Sequence, residues 1–385
     1  MSRLHLGVVA GEPSGDILGS RLIAALRDRY DEVRVEGVGG PLMQEQGLVS
    51  LYPMERLSVM GLIEPLKRLP ELLRMNHALY RHFVDHPPDV FLGIDSPDFN
   101  LRLEKRLRRS GITTAHLVSP SVWAWRRGRI RGIRHAVDLM LCLFPFETAI
   151  YQEYGVPVRH VGHPLADEID AVGTRSAAGG LSRLSGEGQL LALLPGSREA
   201  EVRLLGPVFL QAARLLRHDY PQLGIAIPAA SPARREQLRQ SLQNFEDLPV
   251  KLLAGRSRDV MAAADVTLTA SGTATLEAAL IGSPMVVAYR MGWLSWQLLS
   301  RLVATPFIAL PNLLVGRSLV PEFVQQGVSP SALAEAVKPL LAGGDAAAAQ
   351  LQGFGELRQQ LGRDAAGCAA DALVELAAAR GRGHG

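Results

Sequence analysis

Between Asp265 and Arg290 the spacing of apolar and polar positions changes within a few residues. Val266, Thr267, Leu268 and Thr269 alternate as a strand does, Ser271 and Gly272 interrupt the run, and Leu276, Ala279 and Leu280 then recur at helical spacing. The segment predicts strand, tight turn, helix. Residues 4–10 (LHLGVVA) repeat the pattern: a buried strand, the loop GEPSGD, then a helix with Leu18, Leu22, Ala25 and Leu26 on one face. Further β-rich runs fall at 33–39, 89–95, 113–119, 137–144 and 156–162, and again at 189–195, 223–229, 248–253, 265–270 and 284–290. Strands alternating with helices predict an α/β protein whose parallel sheets are covered on both faces. The alternation pauses at 171–189, a stretch rich in Gly, Ser and Ala without apolar periodicity. The expected organisation is therefore two doubly wound domains, 1–170 and 190–345, joined by a linker at 171–189. Ala-rich helices and a frayed tail follow at 346–385. Ligands of such sheets bind beyond the carboxyl ends of the strands, which for two facing domains is the cleft between them.

Length agrees, since 385 residues exceed one ordinary core. A hydrophobic fraction of 47% and a charged fraction of 21% suit a soluble globular protein, and a net charge of +3 implies no bulk nucleic-acid binder. Cys142 and Cys368 lie far apart without metal-ligand spacing, and Cys142, within LMLCLF, reads as a small buried hydrophobe. The start, MSRLHLGVVAGEP, leads into a strand with no charged leader and cleavage site before it, which predicts a cytoplasmic protein. Residues 291–315 come near a membrane span but are interrupted by Arg301, Pro306 and Pro311, so resting against a bilayer is expected and crossing it is not.

Four loops at strand ends hold the candidate chemistry. In the turn at 271–273, Gly272 permits close backbone approach, and the helix start beyond it can receive an anion such as a diphosphate. Thr273 and Glu277, four apart, share a face near that end, and a carboxylate there suits a vicinal diol such as that of a ribose. A capping box does not explain Glu277, because Ala274 stands three residues before it; a solvated glutamate is the other reading. In LLPGSREAE, Gly196 and Ser197 make a second anion-suited turn, and Arg198 either grips a phosphate with paired hydrogen bonds or is a surface arginine. In GEPSGD, Gly11 and Gly15 allow tight approach while Glu12, Ser14 and Asp16 offer oxygens; Ser14 and Asp16 also suit helix capping, whereas Glu12 precedes the helix. In GIDSPDFN, Asp95, Asp98 and Asn100 crowd one turn, with Asp95 the candidate general base and Asp98 the better fit to an Asx turn. Asn312, within FIALPNLLVGR, is too polar to be buried unbonded and binds either backbone or ligand. With no Asp-Xaa-Asp pair and no His/Cys cluster, neither a metal nor another cofactor is expected, and leaving-group charge falls to Arg198 and the helix start.

Two stretches point to partners. Residues 51–75 mix Leu, Met and Ile with Lys67, Arg68 and Arg74, as a surface-lying membrane segment or a core helix does. Residues 123–135, WAWRRGRIRGIRH, set two tryptophans beside five arginines, which suits anionic lipid, a phosphate, RNA stacking or a plain solvated face.

Taken in order, GEPSGD, GIDSPDFN, SPSVWAWRRGRI, VGHPLAD, LLPGSRE, SGTATLEAAL and LPNLLVGR resemble the lipid-A-disaccharide synthases over residues 5 to about 325. The resemblance implies a glycosyltransferase with two Rossmann-like domains in the GT-B arrangement, at the cytoplasmic face of the inner membrane. It implies transfer of 2,3-diacylglucosamine from its UDP derivative to 2,3-diacylglucosamine 1-phosphate, giving a β-1,6 disaccharide and UDP. On that reading the second half holds UDP, with Glu277 on the ribose and Arg198 and the turn from Ser271 to Thr273 on the diphosphate. The first half then holds the acceptor, with Asp95 as base and Glu12 and Asp98 as orienting groups. A homodimer stays open. The rivals are a UDP-sugar 2-epimerase on the same plan and a non-catalytic lipid- or RNA-binding module.

Overall fold

Short runs apolar at every position suit strands of a sheet covered on both faces, and two such runs, at 90–94 and 190–194, form central strands here. The computed structural model describes residues 2–57, 64–123, 127–172, 188–293, 296–297 and 305–381, with side chains left out at 64–67, 127, 170–172 and 380–381. Contacts divide the chain into two units: Met1–Pro164 with Leu361–Gly385, and Leu165–Gln360.

The first unit contains β1 (Arg3–Ala10), β2 (Glu32–Val38), β3 (Leu48–Ser50), β4 (Val90–Ile94), β5 (Thr114–Leu117), β6 (Leu139–Cys142) and β7 (Val158–His160). Their order across the sheet is β3-β2-β1-β4-β5-β6-β7, and every described pair is parallel. The second unit contains β8 (Leu190–Leu194), β9 (Gly224–Ala229), β10 (Val250–Ala254), β11 (Val266–Ala270), β12 (Met285–Tyr289) and β13 (Glu322–Val324), ordered β10-β9-β8-β11-β12-β13 and again parallel. β4, β8 and β11 are buried along their whole length. Each sheet reverses its winding between its first and fourth strands, β1/β4 and β8/β11. Loops leaving those strands diverge and leave a crevice, so the topology fixes where each unit can bind a ligand.

β3 and β13 were not among the expected strands; each is a three-residue strand at a sheet edge. The Ala-rich end divides between the units. Helix Asp345–Leu361 serves the second, where Gln350 donates to the carbonyl of Met285 and accepts from its N–H at 3.1 and 2.8 Å. Helix Ala365–Gly381 serves the first: Ala369, Ala370, Ala372 and Leu373 are buried in its core, and Arg29 holds Asp371 at 2.6 Å. Of the expected linker, residues 173–187 lie outside the described residues, as do 382–385 of the tail. Helix Glu64–Asp85 buries Met75, Leu79 and Phe83 and exposes Leu69 and Leu73, while Leu62, Ile63 and the side chain of Leu66 lie outside the described residues. No helix among the described residues is long and apolar enough to cross a membrane.

Candidate functional site

The crevice of the second unit is a cavity of about 450 Å³ whose walls come from the loops after β8, β9, β10 and β11. Gly196, Ser197, Arg198, Ser271, Gly272, Thr273 and Glu277 all line it. Gly272 caps helix Thr273–Ile281 at φ 154° and offers no side chain to its first amides, so the N–H groups of Thr273 and Ala274, which have no intrahelical acceptor, remain open to an anion. The hydroxyl of Ser271 faces away, donating to the carbonyl of Ile308 at 2.8 Å. Glu277 lies in the same wall, where Arg258 Nε donates to it at 3.1 Å.

The second turn differs from the simple anion cradle expected. Glu201 Oε2 accepts from the backbone N–H groups of Ser197 at 3.0 Å and Arg198 at 3.1 Å, so those amides already serve a carboxylate. Gly196, at φ 118°, has to be glycine, since a β-carbon there would stand 2.5 Å from that of Glu201. Arg198 donates from Nη1 to Glu201 Oε1 at 2.8 Å, yet its side chain is 83% exposed and lines the cavity. Glu201 went unrecognised in the sequence, although its place three residues after the helix-capping position is a capping-box signal.

In the first unit a cavity of about 360 Å³ opens where β1 and β4 part. Glu12, Asp95 and Asp98 line its polar side, and Leu57, Leu69, Leu72 and Leu73 its apolar side. Asp95 and Ser96 both adopt left-handed backbone, φ 52° and 44°. Such conformations cost roughly 1–3 kcal/mol each and need outside support. Asn100 provides it: fully buried, its Nδ2 lies within 2.8 Å of the carbonyl of Asp95, 3.1 Å of Val9 and 3.3 Å of Ile94, tying the ends of β1 and β4 together. The loop therefore presents Asp95 rigidly, with Oδ1 accepting from the Ser96 N–H at 2.8 Å. Glu12 takes the capping position of helix Pro13–Arg27 without a side-chain bond to it, and burial together with the neighbouring Asp95 carboxylate pushes its pKa up. Asp98, 89% exposed, pairs with Arg129, which brings the arginine-rich motif to the acid loop; Arg126 and the side chain of Arg127 lie outside the described residues.

Of four further expected ligand residues, Asp16 and Asn312 bond the backbone, and Ser14 and Gly15 do not line the cavity. Asp16 is buried, and its carboxylate accepts from Leu42 N–H at 3.1 Å and Met43 N–H at 3.0 Å, capping helix Pro41–Glu45 and not its own helix. Gly15 is buried against β1, where a β-carbon would come within 3.2 Å of Ala10 Cβ; Ser14 is exposed on the same first turn and does not line the cavity. Asn312 is fully buried and takes the structural role left open for it: Nδ2 donates to the carbonyl of Val320 at 2.9 Å, and Oδ1 accepts from Leu319 and Val320 N–H at 2.7 and 2.8 Å. Among the described residues, no three His, Cys, Asp or Glu side chains group as metal ligands.

Residues 6–375 match the family described as Lipid-A-disaccharide synthetase. The chain is 53% identical over 373 residues to a lipid-A-disaccharide synthase of Pseudomonas aeruginosa, covering 97% of this chain and 98% of the relative. It is 50% identical to that of Cellvibrio japonicus, covering 97% of each. Among solved structures it resembles a putative UDP-N-acetylglucosamine 2-epimerase from Listeria monocytogenes (TM-score 0.64, 11% identity, 97% of this chain and 95% of the other). It also resembles MurG of Acinetobacter baumannii (TM-score 0.58, 13% identity, 97% and 100%). At such identities the structural likeness establishes only the fold, two Rossmann-like units of the GT-B class.

Proposed function

The chain belongs to the lipid-A-disaccharide synthase family and is a glycosyltransferase of lipid A disaccharide formation, and from that premise we propose how its residues divide the reaction. The family supplies the substrate classes, a nucleotide sugar and an acylated glucosamine. In our reading the second unit holds UDP-2,3-diacylglucosamine. Its diphosphate lies against the amides of Thr273 and Ala274 and the guanidinium of Arg198, and its ribose on Glu277. The observation that carries this is the meeting of all three at the β8/β11 crevice.

The first unit holds 2,3-diacylglucosamine 1-phosphate. The acceptor's 6-hydroxyl oxygen bonds to the donor's anomeric carbon while its proton passes to the Asp95 carboxylate. The bond from that carbon to the diphosphate oxygen breaks, its electron pair leaving with UDP, and the configuration inverts to β. Arg198 and the helix start stabilise the charge that develops on the leaving group. Glu12 and Asp98 orient the sugar, and the leucines beside them accept acyl chain.

UDP release in the presence and absence of an added acyl-glucosamine phosphate tests this. Release that depends on the acceptor supports transfer, whereas isomerisation of the donor sugar without acceptor would replace it with epimerase chemistry. Exposed Leu69 and Leu73 also support peripheral attachment at the cytoplasmic face of the inner membrane. Changing both to Ser should reduce cosedimentation with anionic vesicles; unchanged cosedimentation would assign attachment elsewhere.

A further inference from the structure

Helix Ser257–Ala263 follows β10, and its first residue, Ser257, lines the cavity of the second unit. The next residue, Arg258, does not line it but reaches Glu277, which does. Its guanidinium is forked between two acids. Nε donates to Glu277 Oε1 at 3.1 Å, and Nη1 donates to Glu168 Oε2 at 2.9 Å, on helix Pro164–Val172. The arginine side chain is 47% exposed, whereas Glu277 is only 18% exposed and Glu168 27%.

We propose that Arg258 is a positioning residue: it holds the Glu277 carboxylate in the orientation that accepts the hydroxyls of a ribose, and so sets the preference of the site for a nucleotide with an intact 2′,3′-diol. The inference rests on the nucleotide reading of this cavity and deepens it. A glutamate one turn into a helix has three rotatable bonds, and unless its carboxylate is held, a diol that binds it must also order it. The Nε contact removes that freedom through Oε1. Oε2 has no hydrogen bond among the described residues and is the oxygen left for the sugar. Glu168 takes the other edge of the guanidinium, a contact that a neutral amide oxygen can accept as well, and leaves Nε to Glu277.

The test is calorimetric titration of the full chain with UDP and with its 2′,3′-dideoxy analogue. Arg258→Met should weaken UDP about tenfold, the size of one charge-assisted hydrogen bond, while leaving the dideoxy nucleotide unchanged. Arg258→Lys should recover part of the preference, since an ammonium reaches one carboxylate but not both. Glu168→Gln should keep the preference, because Nε still holds Glu277. Equal weakening of both nucleotides by Arg258→Met, or no weakening of either, would overturn the proposal. So would loss of the preference in Glu168→Gln, which would make the arginine a brace for helix Pro164–Val172 only. Glu277→Gln separates the two levels of the argument: if it keeps the full preference, Glu277 does not bind the ribose and the nucleotide reading fails first.

Discussion

Asp89 and Asp265 open β4 and β11, the strands beside which each sheet reverses its winding. Each carboxylate accepts a backbone N–H of the adjoining strand, His5 at 2.7 Å and Leu190 at 2.8 Å, and each residue's own N–H donates to the carbonyl of that same partner at 2.9 Å. At their amino ends the two units are therefore built alike. At the carboxyl ends they part. The second unit's cavity acids are paired, Glu201 with Arg198 and Glu277 with Arg258. Of the first unit's three cavity acids, Asp98 pairs with Arg129, and no ion pair among the described residues holds Glu12 or Asp95. The difference teaches that one scaffold can set its crevice acids in two electrostatic settings, paired with an arginine or beside another acid. A carboxylate held by an arginine is fixed in orientation, whereas Glu12, partly desolvated beside the Asp95 carboxylate, has its pKa pushed up.

The largest test removes the proton acceptor. Asp95→Asn keeps the side chain's shape and the Ser96 contact but not its basicity, so turnover should fall by about 10²–10⁴. Nucleotide affinity should stay at the parental value, since the loop belongs to the other unit. Near-parental turnover would remove Asp95 as base and with it the division of labour between the units.

Glu147 extends the contrast within the first unit. It is buried with Ser119, Trp123 and the Phe144 N–H as its hydrogen-bond partners, and burial pushes its pKa up to about 8 from 4.5. The folded protein therefore holds this proton through a range in which the unfolded chain has released it. Stability should fall as pH rises from 4.5 to about 8 and level off above that. Each unit of pH in that window removes at most about 1.4 kcal/mol. Glu147→Gln, which is neutral at every pH, should flatten the fall in denaturant melts; a parental slope would mean that another group carries it.

The strands and their alternation with helices were legible because apolar periodicity is local; the division between units was not, since it falls between Pro164 and Leu165 and not at 171–189. Nor were β3 and β13: each is a short edge strand, LVS and EFV, set beside a turn residue, Gly47 and Pro321, so the stretch reads as loop. At the sites, strand-end placement picked out Glu12, Asp95, Arg198 and Glu277, all of which line the two cavities. Asp16 and Asn312 were left between cap or backbone and ligand for the same reason: a polar side chain in an apolar setting needs a partner, but composition does not say which. The partners of Asp16 are Leu42 and Met43, beyond β2, and only the folded chain brings them near. Asn312 bonds a loop that returns at Leu319 and Val320. Glu201 was legible in principle by its spacing, but an arginine at the capping position hides the usual Ser or Thr.

Glu201 also provides the smallest and sharpest test of the contrast. It accepts from the Ser197 and Arg198 amides and engages the guanidinium proposed to meet the diphosphate, so an anion bound at this turn would compete with it. Arg198→Ala should weaken UDP by about 1.5 kcal/mol, the loss of one charge-assisted contact. Glu201→Gln should act oppositely. The amide oxygen still accepts from the turn, but the negative charge is gone and the arginine is released, so UDP should bind more tightly by a fraction of the roughly 1 kcal/mol typical of an exposed pair. Titrating both variants with UDP at low and high salt checks the sign, since the gain should shrink as salt screens the charge. If Glu201→Gln weakens UDP instead, the carboxylate is holding the turn in its binding shape, and the cation it pairs with is not the group that meets the phosphates.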